Sequence, residues 1–143
     1  MSLVIIDFNG TVFDPFRDRL MLGAKELLDG LKKREVPIVV VSKQELSSGE
    51  TLDRLGIANY FSEVAWVEQK TGEQFREIMV RHGAKPEETY VIGDYLASEI
   101  RAGVEAGAFT IHYKGGHRSS LEESSIQPNT AVDSLADALK YIH

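Results

Sequence analysis

The sequence contains no cysteine, which excludes disulfides, thiolate metal centres and cysteine nucleophiles and fits a reducing compartment. It also lacks a basic stripe. The net charge is −6, whereas a duplex-binding surface needs clustered lysine and arginine, so nucleic acid is not an expected partner. Long apolar runs are missing too: Pro37 to Val41 falls far short of the roughly 20 residues that cross a bilayer. The opening Met1-Ser2-Leu3-Val4-Ile5-Ile6-Asp7 turns acidic too soon for a signal peptide. No membrane association is expected, and the cytoplasm is the simplest location. The four histidines, His82, His112, His117 and His143, show no paired metal-ligand spacing. No Gly-x-Ser-x-Gly elbow occurs. Lys114-Gly115-Gly116-His117 lacks the Gly-x-x-x-x-Gly-Lys-Ser/Thr pattern of a phosphate loop and reads as a turn.

What remains is an ordinary globular composition. A length of 143 residues suits one core, so residues 1–143 are expected to form a single domain. Leu3 to Ile6 is a short apolar run ending at Asp7, the pattern of a strand buried on both faces. Phe13 to Arg19 has no period and contains Pro15, so it reads as loop. Ala24, Leu27, Leu28 and Leu31 form one apolar stripe of a helix. Ile38 to Val41 is a second buried strand, ending at Ser42.

Ser47 and Glu50 have the spacing of a capping box, and Gly56 would close the short helix they open. Val64 to Val67 suggests a third strand. Phe75, Ile78 and Met79 mark a helix closed by Gly83. Tyr90 to Ile92 is a fourth strand, followed by Gly93-Asp94; Ile100 and Val104 are expected to anchor the next helix, closed by Gly107. Phe109 to Tyr113 is a fifth strand, Lys114 to Asn129 an irregular surface stretch. Leu135, Ala138, Leu139 and Ile142 repeat a helical stripe behind Ser134 as N-cap. Alternating strands and helices imply a parallel sheet covered on both faces by right-handed crossovers.

Ligands of such sheets bind beyond the carboxyl ends of the strands. Here the first strand ends in Asp7, the second in Ser42 and the fourth in Asp94, while Lys70 follows the third. Each residue alone would pass for a helix cap or a solvated charge. Together they place four polar groups around one crevice. Two carboxylates at adjacent strand ends repel, and a hard divalent cation such as Mg²⁺ relieves that repulsion through oxygen ligands.

The string Val4-Ile5-Ile6-Asp7-Phe8-Asn9-Gly10-Thr11 resembles the first motif of the haloacid dehalogenase (HAD) superfamily, a hydrophobic strand followed by Asp-x-Asp-Gly-Thr. The other motifs follow in order: Ile38-Val39-Val40-Val41-Ser42, then Lys70, then Val91-Ile92-Gly93-Asp94 with Glu99 downstream. Ile100 to Gly107 also resembles the family's usual continuation. The resemblance spans nearly the whole chain. It implies a three-layer Rossmann-like α/β fold and a Mg²⁺-dependent phosphohydrolase. Asp7 would attack phosphorus and become an aspartyl-phosphate. Asp7, the main-chain carbonyl of Asn9, and Asp94 would hold the metal, supported by Glu99. Ser42 and Lys70 would bind the transferring phosphoryl group.

One position departs from the pattern. Asn9 stands where family phosphatases carry the Asp that protonates the leaving group and then activates water, and an amide does neither. General acid–base catalysis is worth about 10²–10⁴-fold, so hydrolysis of alkyl phosphates is expected to be slow. Three explanations stay open: a substrate with a good leaving group, a proton carrier elsewhere, or a phosphate- and metal-binding sensor or interaction domain without turnover. Metal-independent dehalogenases of the superfamily also lack this Asp, but Asp94 and Glu99 favour a retained metal and hence phosphate. A receiver-type domain is a rival of the same architecture, yet its acceptor Asp ends the third strand, not the first.

Thirty-five positions separate Asp7 from Ser42 and twenty-four separate Lys70 from Asp94, leaving no room for an inserted cap. An open site suits large phosphorylated substrates, or a mouth covered by a neighbouring subunit. The sequence is compatible with a monomer or a homo-oligomer. Phe13 and Phe16 are candidates for contacts at the site or for core packing.

Overall fold

The computed structural model describes residues 2–43, 48–117 and 125–143. The expected Ser47 capping box falls outside them. Strand β1 (Leu3–Ile6) is wholly buried and pairs in parallel with β4 (Ile38–Lys43) on one side and β6 (Thr89–Gly93) on the other. Two further parallel strands, β5 (Glu63–Val67) and β7 (Phe109–Tyr113), extend the sheet, and β8 (Thr130–Val132) completes it. The order is β5-β4-β1-β6-β7-β8.

Strand periodicity sorts the core into two layers. Val4, Ile6, Ile38, Val40 and Ile92 meet Leu27, Leu28 and Leu31 of α1 (Ala24–Lys33) on one face. Leu3, Ile5, Val39, Val41 and Val91 meet Phe75, Ile78 and Met79 of α3 (Gly72–Arg81), and Ala102 and Ala106 of α4 (Arg101–Ala106), on the other. A short helix α2 (Ser48–Arg54) adds Leu52 to the first layer. Each of these fully buried leucine or isoleucine side chains stabilises the fold by roughly 1.5–3 kcal/mol.

The chain runs from β1 outward to β4 and β5, then returns to β6 and proceeds outward through β7 and β8. The strand order therefore reverses between β1 and β6, where a crevice opens at the carboxyl ends of the strands.

Four local features differ from the sequence reading. Phe13 to Arg19 is not plain loop: β2 (Phe13–Asp14) and β3 (Arg19–Leu20) form a small antiparallel ribbon. β8 forms from three residues directly after the polar stretch, where no strand was expected. The stripe after Ser134 folds as a 3₁₀ helix, Leu135–Lys140, with the Ser134 hydroxyl accepting from Ala136 N. Residues Leu96–Ile100 form a π turn ahead of α4. That wider turn rotates the helix, so Ala102, Gly103 and Ala106 face the sheet while Val104 is 43% exposed. Small residues suit this position, since a side chain at Gly103 would strike Val91 and Thr110.

Between Asp7 and Ser42 the chain forms the ribbon and α1, and between Lys70 and Asp94 it forms α3 and a 3₁₀ turn, Pro86–Glu88. No helix among the described residues is long and apolar enough to cross a membrane.

Candidate active site

Asp7 leaves the end of β1 with its amide bonded to Ile92 O at 3.1 Å, which ties the strand end to β6. The chain then turns tightly. Thr11 N, Val12 N and Phe13 N all donate to Phe8 O, and Gly10 N donates to Phe13 O at 2.8 Å. Gly10 is left-handed, with φ 84°, and a Cβ there would lie 2.5 Å from Asp94 Oδ2. The turn thus lays its backbone against the second carboxylate. Phe8 and Phe13 stack with ring centroids 5.3 Å apart and pin the turn to the core.

Asp94 follows β6, the strand hydrogen-bonded to β1, and is fully buried. Its main-chain oxygen lies 3.2 Å from His112 Nε2. The π turn that follows swings Glu99 inward. Tyr95 N donates to Glu99 Oε2 at 2.9 Å, and the side chain folds over Gly93, where any Cβ would collide with it. Carboxylate oxygens of Asp7, Asp94 and Glu99 all lie within 4.8 Å of one another, and all three residues are buried.

Lys70 precedes Thr71, which caps α3 by accepting from Gln74 N, while Gln74 Oε1 accepts from Thr71 N. This box fixes the start of α3 and directs Lys70 into the site. Its Nζ donates to Asp7 Oδ1 at 2.6 Å and Glu99 Oε1 at 2.9 Å. Thr11 Oγ1 bridges the other side, 3.3 Å from Asp7 Oδ2 and 3.4 Å from Asp94 Oδ1. Ser42, at the end of β4, is 2% exposed and lines the same cleft.

Electrostatics follow from this packing. Burial by itself pulls the Lys70 ammonium down, but the charges of Asp7 and Glu99 outweigh it and hold its pKa above the ordinary lysine value. Burial and then the Asp7 charge push the Glu99 carboxyl up, against the pull of Lys70. With all groups ionised, three carboxylates face one ammonium, a formal surplus of two negative charges in a buried space. An all-oxygen donor set with that surplus fits a hard divalent cation.

A cleft of about 260 Å³ opens over these groups, lined by Asp7, Asn9, Gly10, Pro15, Phe16, Ser42, Lys43, Lys70 and His117. Asn9 is half-buried on its wall. Every site residue expected from sequence therefore gathers at one sheet edge: Asp7, Asn9, Ser42 and Lys70 on the cleft, Asp94 and Glu99 behind it.

Of the rim, the sequence reading offered Phe16 but neither His117 nor Asp14. Phe13 packs inward, whereas Phe16 is 81% exposed and sets its ring edge-on to His117 at 4.8 Å. Gly116 is pressed against Asp94 and the Gly10 carbonyl so closely that no side chain fits there. His117 Nε2 lies 3.1 Å from Asp14 Oδ1. The glycine pair just after β7 was the available signal, because loops that follow strands of a parallel sheet converge on this edge.

The HAD-hydrolase-like family model matches residues 71–138. The chain is 35% identical over 88 residues to a glyceraldehyde 3-phosphate phosphatase of Methanopyrus kandleri, an alignment covering 58% of this chain and 38% of that protein. It is 31% identical over 125 residues to a pyrimidine 5′-nucleotidase of Streptococcus pneumoniae, covering 82% of this chain and 52% of that one. The chain thus spans about half or less of the length of these curated relatives. Among solved structures, a D,D-heptose 1,7-bisphosphate phosphatase from B. bronchiseptica, complexed with magnesium and phosphate, superposes with a TM-score of 0.77. Identity to it is 18%, and the match covers 99% of this chain and 97% of that one, a likeness of fold. The matching family model is that of haloacid-dehalogenase-like hydrolases, and the central parallel sheet has the α/β architecture of the solved structure it superposes on.

Proposed function

We propose that this chain is a Mg²⁺-dependent phosphohydrolase that cleaves phosphate monoesters or acyl phosphates through an aspartyl-phosphate on Asp7. The observation behind this reading is the buried cluster at the strand-order reversal. Asp7 is held by Lys70 at 2.6 Å, shares Thr11 with Asp94, and opens onto a cleft. The kinship with phosphatases supports phosphate as the substrate group.

In this reading Asp7 Oδ attacks phosphorus, and Ser42 and Lys70 orient the phosphoryl oxygens and offset their charge. Asp7, the Asn9 carbonyl and Asp94 would hold the ion, with Glu99 behind them, and the ion would screen the phosphoryl charge. Glu99 and Asp7 together fix the Lys70 ammonium. Residues 1–143 serve as one capless domain, so the cleft admits phosphates carried on large molecules. The protein acts in the cytoplasm, and the proposal holds for a monomer or a homo-oligomer.

Asn9 lowers the expected rate on alkyl phosphates, by about 10²–10⁴-fold against an Asp-bearing relative if nothing replaces it. The same residue favours a second reading: a phosphate- and metal-binding sensor or interaction domain without turnover. A steady-state assay with Mg²⁺ and para-nitrophenyl phosphate separates the two. The proposal expects turnover that Asp7→Asn reduces by about 10³-fold or more. Phosphate and metal binding without any turnover would support the sensor.

A further inference from the structure

The proposed chemistry has a gap. The cleft needs a group that delivers a proton to the departing oxygen, and Asn9 offers none. The other titratable side chains on its lining are Asp7, Lys43, Lys70 and His117. Asp7 is the nucleophile of the proposed reaction. Lys70 is committed to two carboxylates. Lys43 is an exposed ammonium at the end of β4, suited to attracting an anion.

His117 is different. It sits on the same cleft, yet its ring is built in place. Nε2 lies 3.1 Å from Asp14 Oδ1. Asp14 is itself buried, and its carboxylate is fixed by Phe16 N at 2.9 Å, Arg17 N at 3.1 Å and Arg17 Nη1 at 3.2 Å. Burial pushes the Asp14 carboxyl up, but these hydrogen bonds and that of His117 outweigh it and hold it below the ordinary aspartate range. Phe16 braces the ring from the side, edge-on at 4.8 Å. The strap carrying His117 is anchored one residue earlier, where Gly116 lies on Asp94 and the Gly10 carbonyl. A buried carboxylate that orients an imidazole at the mouth of a reaction cleft is the arrangement that general acid–base histidines use.

We infer that His117, oriented by Asp14, is the general acid–base group of this site and takes over the task that Asn9 cannot perform. The inference rests on the phosphohydrolase reading above. In the first half-reaction Asp7 Oδ forms a bond to phosphorus as the bond from phosphorus to the ester oxygen breaks. The imidazolium gives its Nδ1 proton, on the nitrogen that Asp14 leaves, to that oxygen, which departs as an alcohol. In the second half-reaction the neutral imidazole takes a proton from water. The resulting hydroxide oxygen bonds to phosphorus, the bond to Asp7 breaks, and inorganic phosphate leaves with Asp7 and the imidazolium restored. The sum is one ester and one water to one alcohol and one phosphate.

Leaving-group dependence tests this directly. An alkyl oxygen needs a proton to depart, whereas a para-nitrophenolate hardly does, and kcat/KM reports the steps up to that departure. The wild type and His117→Gln are compared on glycerol 2-phosphate and para-nitrophenyl phosphate with Mg²⁺, with melting temperatures as a folding check. The expected result is a loss in kcat/KM of about 100-fold on the alkyl ester, exceeding the loss on the aryl ester by at least tenfold. An equal loss on both esters, or no loss on either, overturns the assignment. So does a wild type that turns over the aryl ester and not the alkyl one. Asp7→Asn keeps the two levels apart. If it retains aryl phosphatase activity, the phosphohydrolase reading itself fails; if it is inactive while His117→Gln shows no leaving-group bias, only this inference fails.

Discussion

Replacing Lys70 by Met removes one charge and little volume, and its cost can be worked from the structure. The ammonium sits between Asp7 Oδ1 at 2.6 Å and Glu99 Oε1 at 2.9 Å, with all three side chains 2% exposed. Met keeps the apolar stem, so the loss is electrostatic. Removing one partner from a buried ion pair strands the remaining charge and costs about 3–5 kcal/mol. For a chain of this size about 1 kcal/mol shifts the melting temperature by roughly 3 °C, so Lys70→Met should melt about 10–15 °C below the wild type. The assay is thermal unfolding by circular dichroism with a chelator present, so that no cation compensates.

Glu99 gives the pH dependence of this effect. Burial, then the Asp7 charge, raises its carboxyl above the ordinary glutamate value. A raised carboxyl favours the folded state at low pH and opposes it as pH climbs through its folded value. The deficit of the variant should therefore be larger at pH 8 than at pH 5. Adding Glu99→Gln should recover part of it by neutralising one stranded carboxylate. A single variant within about 3 °C of the wild type at pH 8, or a double variant no more stable than the single, would refute the reasoning.

Gly10→Ala should destabilise the protein by about 1–3 kcal/mol, because φ is 84° and the new methyl meets Asp94 Oδ2, and should lower turnover in the same assay. Glu63 lies 2.8 Å from His82 Nε2 and is also paired with Arg81, and these bonds outweigh burial and hold its carboxyl below the ordinary glutamate value. A lowered carboxyl stabilises the fold above its unfolded value and loses that contribution as pH falls through the folded one. Glu63→Gln should thus cost about 0.5–1 kcal/mol in urea unfolding at pH 7, and nothing measurable near pH 3. In the His117→Gln background, Asn9→Asp puts a titratable group back on the cleft wall and should raise kcat/KM on an alkyl phosphate by about tenfold or more. No gain there would count against position 9 facing the leaving group.

The parts of this molecule that could be read from sequence are those with period and burial. Leu3–Ile6 and Ile38–Val41 are buried on both faces, so their apolar runs announced central parallel strands, and their last residues located the site. The stripe of α1 at Ala24, Leu27, Leu28 and Leu31 was equally plain. Short elements escaped. Two-residue strands such as β2 and β3 have no period to detect, and Pro15 between them looks like loop. β8 is held by its pairing to β7, with Thr110 N bonded to the Asn129 side chain beside it, a tertiary effect. A short stripe is the same whether it winds as α or 3₁₀, so the helix behind Ser134 was legible while its 3₁₀ winding over Leu135–Lys140 was not. The π turn leaves no local mark, yet it turns Glu99 inward and Val104 outward. For the site, strand-end residues were visible because topology alone brings them together. His117 and Asp14 were not, because they lie 103 positions apart and meet only through the loop after β7.

The central claim is that Asp7 accepts the phosphoryl group while sharing a divalent ion with Asp94. A crystal structure obtained with Mg²⁺ and beryllofluoride examines it most directly. The account predicts the fluoride complex bonded to Asp7 Oδ within reach of Ser42 and Lys70, and an ion coordinated by Asp7, the Asn9 carbonyl and Asp94. An ion bound elsewhere, or a cleft in which Asp7 stays unmodified at saturating beryllofluoride, would contradict it.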